Sequence, residues 1–127
     1  MSEWLLVASG GAFGSCLRWL CSRKISTLHD PGFPWGILTV NIVGSFAIGF
    51  VYALMHNRLP LEHPARAFLI VGVLGGFTTF SAFSLDTLQL FSNGYVVRAM
   101  ANIIATLIIC LLATWIGLLS GRYLTAL

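Results

Sequence analysis

The sequence predicts an all-α membrane protein with four transmembrane helices, the third broken at its centre, forming one transmembrane domain over residues 1–127. Three observations predict it. Hydrophobic residues make up 57% of the 127 and charged residues only 9%, against about 25% charged in ordinary soluble domains. Four apolar stretches, 4–21, 35–55, 67–91 and 96–120, each approach the roughly 20 residues that a span requires. All four prolines (Pro31, Pro34, Pro60, Pro64) fall between stretches, where helix breakers belong. With a mean hydropathy of +0.90, a globule this small would lack the polar surface to stay in water. A soluble domain, a disordered tail and a nucleic-acid module are excluded. The net charge of +3 comes from scattered Lys and Arg, with no basic stripe to meet a polyanion.

The first span opens on Glu3 without Lys or Arg, so it reads as a span rather than a cleaved signal, which has a basic start. Trp4 and Trp19 sit near its ends, as interfacial anchors do, and Trp35 and Tyr123 repeat the pattern further on. The run Gly10-Gly11-Ala12-Phe13-Gly14 is a weak glycine match inside a span, not a dinucleotide fingerprint. Arg18 lies about one turn from the end of this span. Two readings stand: the guanidinium snorkels to the interface, or it is a fixed positive charge at the mouth of an aqueous cavity, concentrating anions.

The second span carries Asn41 about 9 Å from its start at 1.5 Å per residue. The first span ends where the second begins, so Arg18 and Asn41 share one side of the membrane. The Asn41 amide offers two N–H donors, suited either to an anion or to an interhelical hydrogen bond. Gly10/Gly14, Gly72/Gly76 and Gly117/Gly121 fit small-xxx-small spacing, which allows close helix approach within a protomer or between copies.

The third span is the least regular. Gly75-Gly76 and Thr78-Thr79 stand side by side, followed by Phe80, Ser81, Phe83 and Ser84. Glycine pairs and β-branched residues weaken a helix, and hydroxyls compete for backbone partners. The expectation is a broken helix whose freed carbonyls face a cation and whose freed N–H groups face an anion. Phe80 and Phe83, three apart, share a face if helix resumes. Their positive ring edges would solvate an anion and their faces a cation; the alternative is ordinary core or lipid-facing rings.

The fourth span places Asn102, Thr106, Cys110 and Thr114 four apart, a slanting ridge. It reads either as donors along a narrow path or as interhelical hydrogen bonding. Cys16, Cys21 and Cys110 are spaced for neither zinc nor a redox pair, and His29, His56 and His63 fall in loops. No paired carboxylates, Ser-His-Asp order or phosphate loop marks an enzyme.

Charge balance across the loops is informative. With four spans, Arg58, Arg66 and Arg122 fall on one side and Arg23, Lys24 and Arg98 on the other. Orientation normally follows an excess of Lys and Arg on the cytoplasmic side. With no excess, two readings stand: the chain inserts both ways, which would permit an antiparallel, dual-topology homodimer in the bilayer, or subtler features set one fixed orientation.

Three segments resemble one family, the Fluc (CrcB) fluoride channels. Gly14-Ser15-Cys16-Leu17-Arg18-Trp19 is similar to the family's G-x-x-x-R-W. Gly36-Ile37-Leu38-Thr39-Val40-Asn41 is similar to G-T-L-x-V-N, with Ile37 for the usual Thr. Gly75-Gly76-Phe77-Thr78-Thr79-Phe80-Ser81-Ala82-Phe83-Ser84 is similar to G-G-x-T-T-F-S-T-F-S, and the likeness extends over the whole chain. The resemblance implies a channel passing fluoride passively down its electrochemical gradient across the inner (plasma) membrane, without turnover chemistry. It implies two pores per antiparallel homodimer. By position it implies Phe80 and Phe83 as the rings meeting fluoride, Asn41, Ser81 and Thr114 along the pore, and Arg18 in the vestibule. It also implies a structural Na+ at the dimer centre, held by the backbone carbonyls of Gly75 and Thr78. Asp86 stands where the family often has Glu. The chain departs at Ala82, where Thr is common, and at Cys110, where Ser is usual. The rival reading is a four-span, dual-topology proton-coupled drug or cation antiporter. That mechanism requires a carboxylate within the first span, where this chain has Arg18; Asp86, in the third span, is the acid left to it.

Overall fold

The computed structural model describes residues 2–56, 58–60 and 62–126. Among them there is no strand, and four helical spans are long and apolar enough to cross a membrane. The first is α1 (Glu3–Leu28) and the second α2 (Trp35–His56). The third runs from Pro64 to Ser92 in pieces: α3 (Pro64–Arg66), a π-helical stretch (Ala67–Leu74), α4 (Gly75–Phe77) and α5 (Phe80–Ser92). The fourth is α6 (Val96–Ala126).

Helices α1 and α6 outrun the apolar stretches that announce them, α1 reaching Leu28 rather than Cys21 and α6 reaching Ala126 rather than Ser120. Hydropathy marks the hydrocarbon, whereas the helix needs only i→i−4 bonds and good formers such as Arg23 and Lys24. Arg23 lays its guanidinium over the Trp19 ring, 5.3 Å from its centroid. Arg66 belongs to a helix rather than a loop: it lies in the first turn of the third span, buried, 5.6 Å from the Tyr52 ring centroid.

Two interfaces of small residues hold the protomer. On α1, Gly10 and Gly14 face the third span, so that a Cβ at Gly10 would lie 2.5 Å from the Phe68 carbonyl oxygen and one at Gly76 would lie 2.6 Å from that of Gly11. On α6, Gly117 and Gly121 meet the Phe46–Ala53 face of α2, and a Cβ at Gly121 would lie 2.7 Å from that of Ala53. All three small-xxx-small pairs are therefore used inside one protomer, letting backbones approach where lipid provides no hydrophobic drive. Gly75 is different. A Cβ there would meet nothing nearer than the Ile70 carbonyl at 3.7 Å.

The connection from α5 to α6 is short because α5 ends in a Schellman turn. Gly94 takes φ +81°, the Gly94 N–H donates to the Phe91 carbonyl, and the Tyr95 N–H donates to the Leu90 carbonyl. At the same membrane end, Arg98 donates to the Gly32 carbonyl at 2.9 Å and lies 3.7 Å from the Asp30 carboxylate. This ties the α1–α2 loop to α6.

Candidate functional site

The third span stops being helical at two residues. Thr78 (φ −84°, ψ 157°) and Thr79 (φ −154°, ψ 118°) are extended. In a continuous helix the N–H groups of Thr79, Phe80, Ser81 and Ala82 would serve the carbonyls of Gly75, Gly76, Phe77 and Thr78. Here the Thr79 N–H donates instead to Asn41 Oδ1 at 2.8 Å, and the Ala82 N–H to Thr79 Oγ1 at 3.1 Å. Thr79 is thus the N-cap that restarts the helix as α5. The Thr78 hydroxyl donates back to the Leu74 carbonyl at 3.0 Å.

Asn41 is the partner of the break. Its side chain is buried, accepting from the Thr79 N–H and donating through Nδ2 to the Thr79 carbonyl at 3.0 Å. One amide thereby satisfies both backbone groups of an extended residue, as a neighbouring strand would. Irregular backbone at membrane depth persists only where such partners exist. Gly44, one turn further along α2, leaves room for Thr78 and Phe77. Arg18 approaches from α1, its Nη1 3.5 Å from the Thr78 carbonyl. The structure therefore brings Arg18 and Asn41 onto consecutive residues of the break.

Beside the break lies a cavity of about 430 Å³ lined by Arg18, Thr79, Ser81 and Ala82 among others. It shares Trp19, Ser22 and Ile37 with a second cavity of about 570 Å³, which reaches Arg23, Asp86 and Tyr95 at the loop end of the bundle. The two adjoin through these shared residues, with Arg18 lining the part beside the break and Asp86 the part at the loop end.

Phe80 and Phe83 sit at the start of α5, centroids 5.2 Å apart and planes tilted by 51°. They differ in setting: Phe80 is 72% exposed on the protomer and Phe83 only 6%. Ser81 is exposed, and its hydroxyl lies 3.2 Å from that of Thr79. The ridge on α6 divides. Asn102 is buried and donates to Thr87 Oγ1 at 2.9 Å. Thr106 is buried, and its hydroxyl has no partner among the described residues. Thr114 donates to the Cys110 carbonyl at 3.0 Å, and its own carbonyl faces Gly49. Gly75 is exposed and Thr78 half-buried. Among the described residues, no His, Cys, Asp or Glu cluster could hold a metal ion.

Residues 5–118 match the family described as CrcB-like protein, Camphor Resistance (CrcB). The chain belongs to the CrcB family. Within it, the chain is 49% identical over 119 residues to a protein of Agrobacterium fabrum, covering 94% of this chain and 95% of that one. It is 44% identical to a protein of Opitutus terrae, covering 100% and 98%, and 43% identical to one of Aeromonas salmonicida, covering 93% and 94%. Each of these relatives is named a fluoride-specific ion channel FluC. The four apolar spans make this CrcB protein a multi-pass membrane protein.

From sequence Thr79 counts only as a helix-weakening residue, and Thr87 has no part. The capping role of Thr79 has a legible signal, since a Thr immediately before the first residue of a helical run is a typical N-cap. The partnership of Thr87 with Asn102 carried none, because nothing local marks which buried hydroxyl an amide will reach.

Proposed function

We propose that this protein is a fluoride channel of the plasma membrane, passing the ion passively. The observation that carries the reading is the break at Thr78–Thr79. It lies within the third apolar span beside the cavity lined by Arg18, and it is followed at once by two phenylalanines. The names of the relatives support the same ion. Fluoride is small and tightly hydrated, so stripping its water requires N–H donors and positive ring edges at close range. Freed N–H groups at the start of α5, in a break that the Asn41 amide holds open, and the two rings offer that combination. The test is purified protein in liposomes loaded with fluoride: an ionophore that collapses the potential should release fluoride, and proton-for-drug exchange should be absent.

The working unit is an antiparallel homodimer with two pores. Phe80, Ser81 and Gly75, which flank the break, are exposed on the protomer, and backbone groups that a break frees are costly where they face lipid. A second copy laid over these residues would cover them, and the balance of Lys and Arg between the two membrane ends allows that copy to insert inverted. Single cysteines placed in the second loop, in a background without Cys16, Cys21 and Cys110, are expected to label from both sides of one membrane preparation. Labelling from one side alone would remove the antiparallel arrangement.

Arg18 acts as the vestibule charge, drawing anions into the cavity beside the break. Arg18→Gln should lower flux several-fold, most strongly at low salt where screening is weakest. A loss that does not vary with ionic strength would assign Arg18 to packing against Thr78 instead.

The Gly75 and Thr78 carbonyls suit a structural Na+ between the two copies. They are hard oxygen donors without a carboxylate: the break takes the Thr79 N–H away from the Gly75 carbonyl, the Thr78 carbonyl has only Arg18 Nη1 at 3.5 Å, and Gly75 opens onto the surface that the second copy would cover. Bound there, the ion would supply positive charge to the centre of the dimer. Thr78→Ala keeps the backbone oxygen and should change dimer recovery little. Gly75→Val should lower it severely without destabilising the isolated protomer, where a Cβ has room. Equal, severe losses from both would point to the Thr78 hydroxyl rather than to carbonyls.

A further inference from the structure

We propose that Asn102 is a positioning residue that sets the place of Phe83 through Thr87, rather than a residue that meets the ion. The observations concern how α5 is attached. This half-helix carries both phenylalanines, yet its buried residues are only Phe83 and Thr87. Leu85 and Leu88 are exposed on the protomer, so little apolar packing fixes its rotation or its slide along α6. Its polar attachments are specific. At its first turn the Asn41 amide holds Thr79. One turn past Phe83, Asn102 Nδ2 donates to Thr87 Oγ1 at 2.9 Å, and Thr87 Oγ1 donates to the Phe83 carbonyl at 2.7 Å. Asn102 is 1% exposed and Thr87 is buried too, so this chain of two bonds runs where water does not compete and a missing partner is costly. The two amides, one from α2 and one from α6, therefore pin α5 at both ends of the segment that presents the rings.

The bond is also directional. The Thr87 hydroxyl has one proton, and that proton goes to the Phe83 carbonyl, so its oxygen is left as the acceptor for the amide. Asn102 thus reads the position of α5 along its axis: a slide or a rotation of the half-helix would break this bond while leaving the α5 backbone ladder intact. The proposal rests on the reading of Phe83 as a ring that contacts the ion.

The test joins flux with a direct view of the ring. Thr87→Val keeps shape and removes the hydroxyl, while Thr87→Ser keeps the hydroxyl. Thr87→Val and Asn102→Leu are each expected to lower fluoride flux per recovered dimer by about tenfold, the scale of one lost buried hydrogen bond. Thr87→Ser is expected to restore flux to near wild type. In a cycle with Phe83→Ile, the double variant Asn102→Leu/Phe83→Ile should lose no more than Phe83→Ile alone, because the amide acts through the ring; fully additive losses would overturn the proposal. Should Asn102→Leu fail to assemble, the Val and Ser pair at Thr87 decides, and equal flux in the two overturns it. With 4-fluorophenylalanine at position 83, the ¹⁹F resonance should shift or broaden in Thr87→Val and return in Thr87→Ser; an unmoved resonance in Thr87→Val also overturns it. That resonance reads ring position even if Phe83→Ile conducts like wild type, so a failure of the ion-contact reading is seen separately.

Discussion

Phe83→Ile and Phe80→Ile are expected to fold, to assemble and to lose most of the fluoride flux. Ile stays apolar and near in volume but has no ring quadrupole. The two sites separate conduction from packing because their burial differs. Phe83 is 6% exposed, so Phe83→Ile should cost stability of order 1 kcal/mol through imperfect packing. Phe80 is 72% exposed on the protomer, so Phe80→Ile should leave protomer stability nearly unchanged. If ring edges replace part of the ion's hydration, flux should fall on the order of 100-fold at both sites, about 2.7 kcal/mol in barrier terms. Flux must be normalised to dimer recovered by size exclusion, so that misfolding is not counted as lost conduction. Tyr or Trp at these sites should do less harm than Ile unless their bulk blocks the path. Wild-type flux in both Ile variants would return the rings to a packing role.

Asn41→Leu should be among the most destabilising single changes in the chain. It removes both partners of Thr79 at once, leaving a buried N–H and a buried carbonyl unpaired. At roughly 1–3 kcal/mol for each group, the loss comes to about 4 kcal/mol, a large share of the 5–15 kcal/mol that folded proteins typically have. Asn41→Asp is the informative companion. Its carboxylate still accepts from the Thr79 N–H but cannot donate to the Thr79 carbonyl, and it adds a negative charge beside the break. It should assemble better than Asn41→Leu and still conduct poorly, because the charge repels an anion. Thermal loss of the recoverable species, followed by size exclusion, reads the first effect, and liposome flux reads the second. Wild-type thermal stability in Asn41→Leu would show that the break holds itself open without the amide.

The same amide marks where sequence reasoning stopped. Asn41 was a candidate because an amide is costly in hydrocarbon, and two roles stood open: an anion donor and an interhelical bond. The fold commits both arms of the amide to Thr79, so its first task is to build the site. Asn102 resolves in a similar way, since its amide is bound to Thr87. For Thr114, the hydroxyl turns back to its own helix at Cys110. A polar residue announces by its type that it must be satisfied; the partner it finds is fixed by which helices lie alongside, and a single chain of letters does not state that.

The four spans, their order and the region where the third becomes irregular are all legible in the chain of residues. Those follow from local quantities: hydropathy over a window, the placement of prolines, and the helix-weakening run from Gly75 to Thr79. Packing is what closes α1 onto the third span and α2 onto α6 through the glycine pairs inside one protomer, and the folded structure shows it. It alone showed that residues 67–74 wind as a π-helix, that the interruption narrows to Thr78 and Thr79, and that Arg18 and Asn41 converge there from two other helices. The reason is physical. Helix formation is governed by neighbours within a turn or two along the chain, whereas the break is stabilised by a hydrogen-bond pair spanning 38 residues of sequence, and such a pair exists only once the helices have packed.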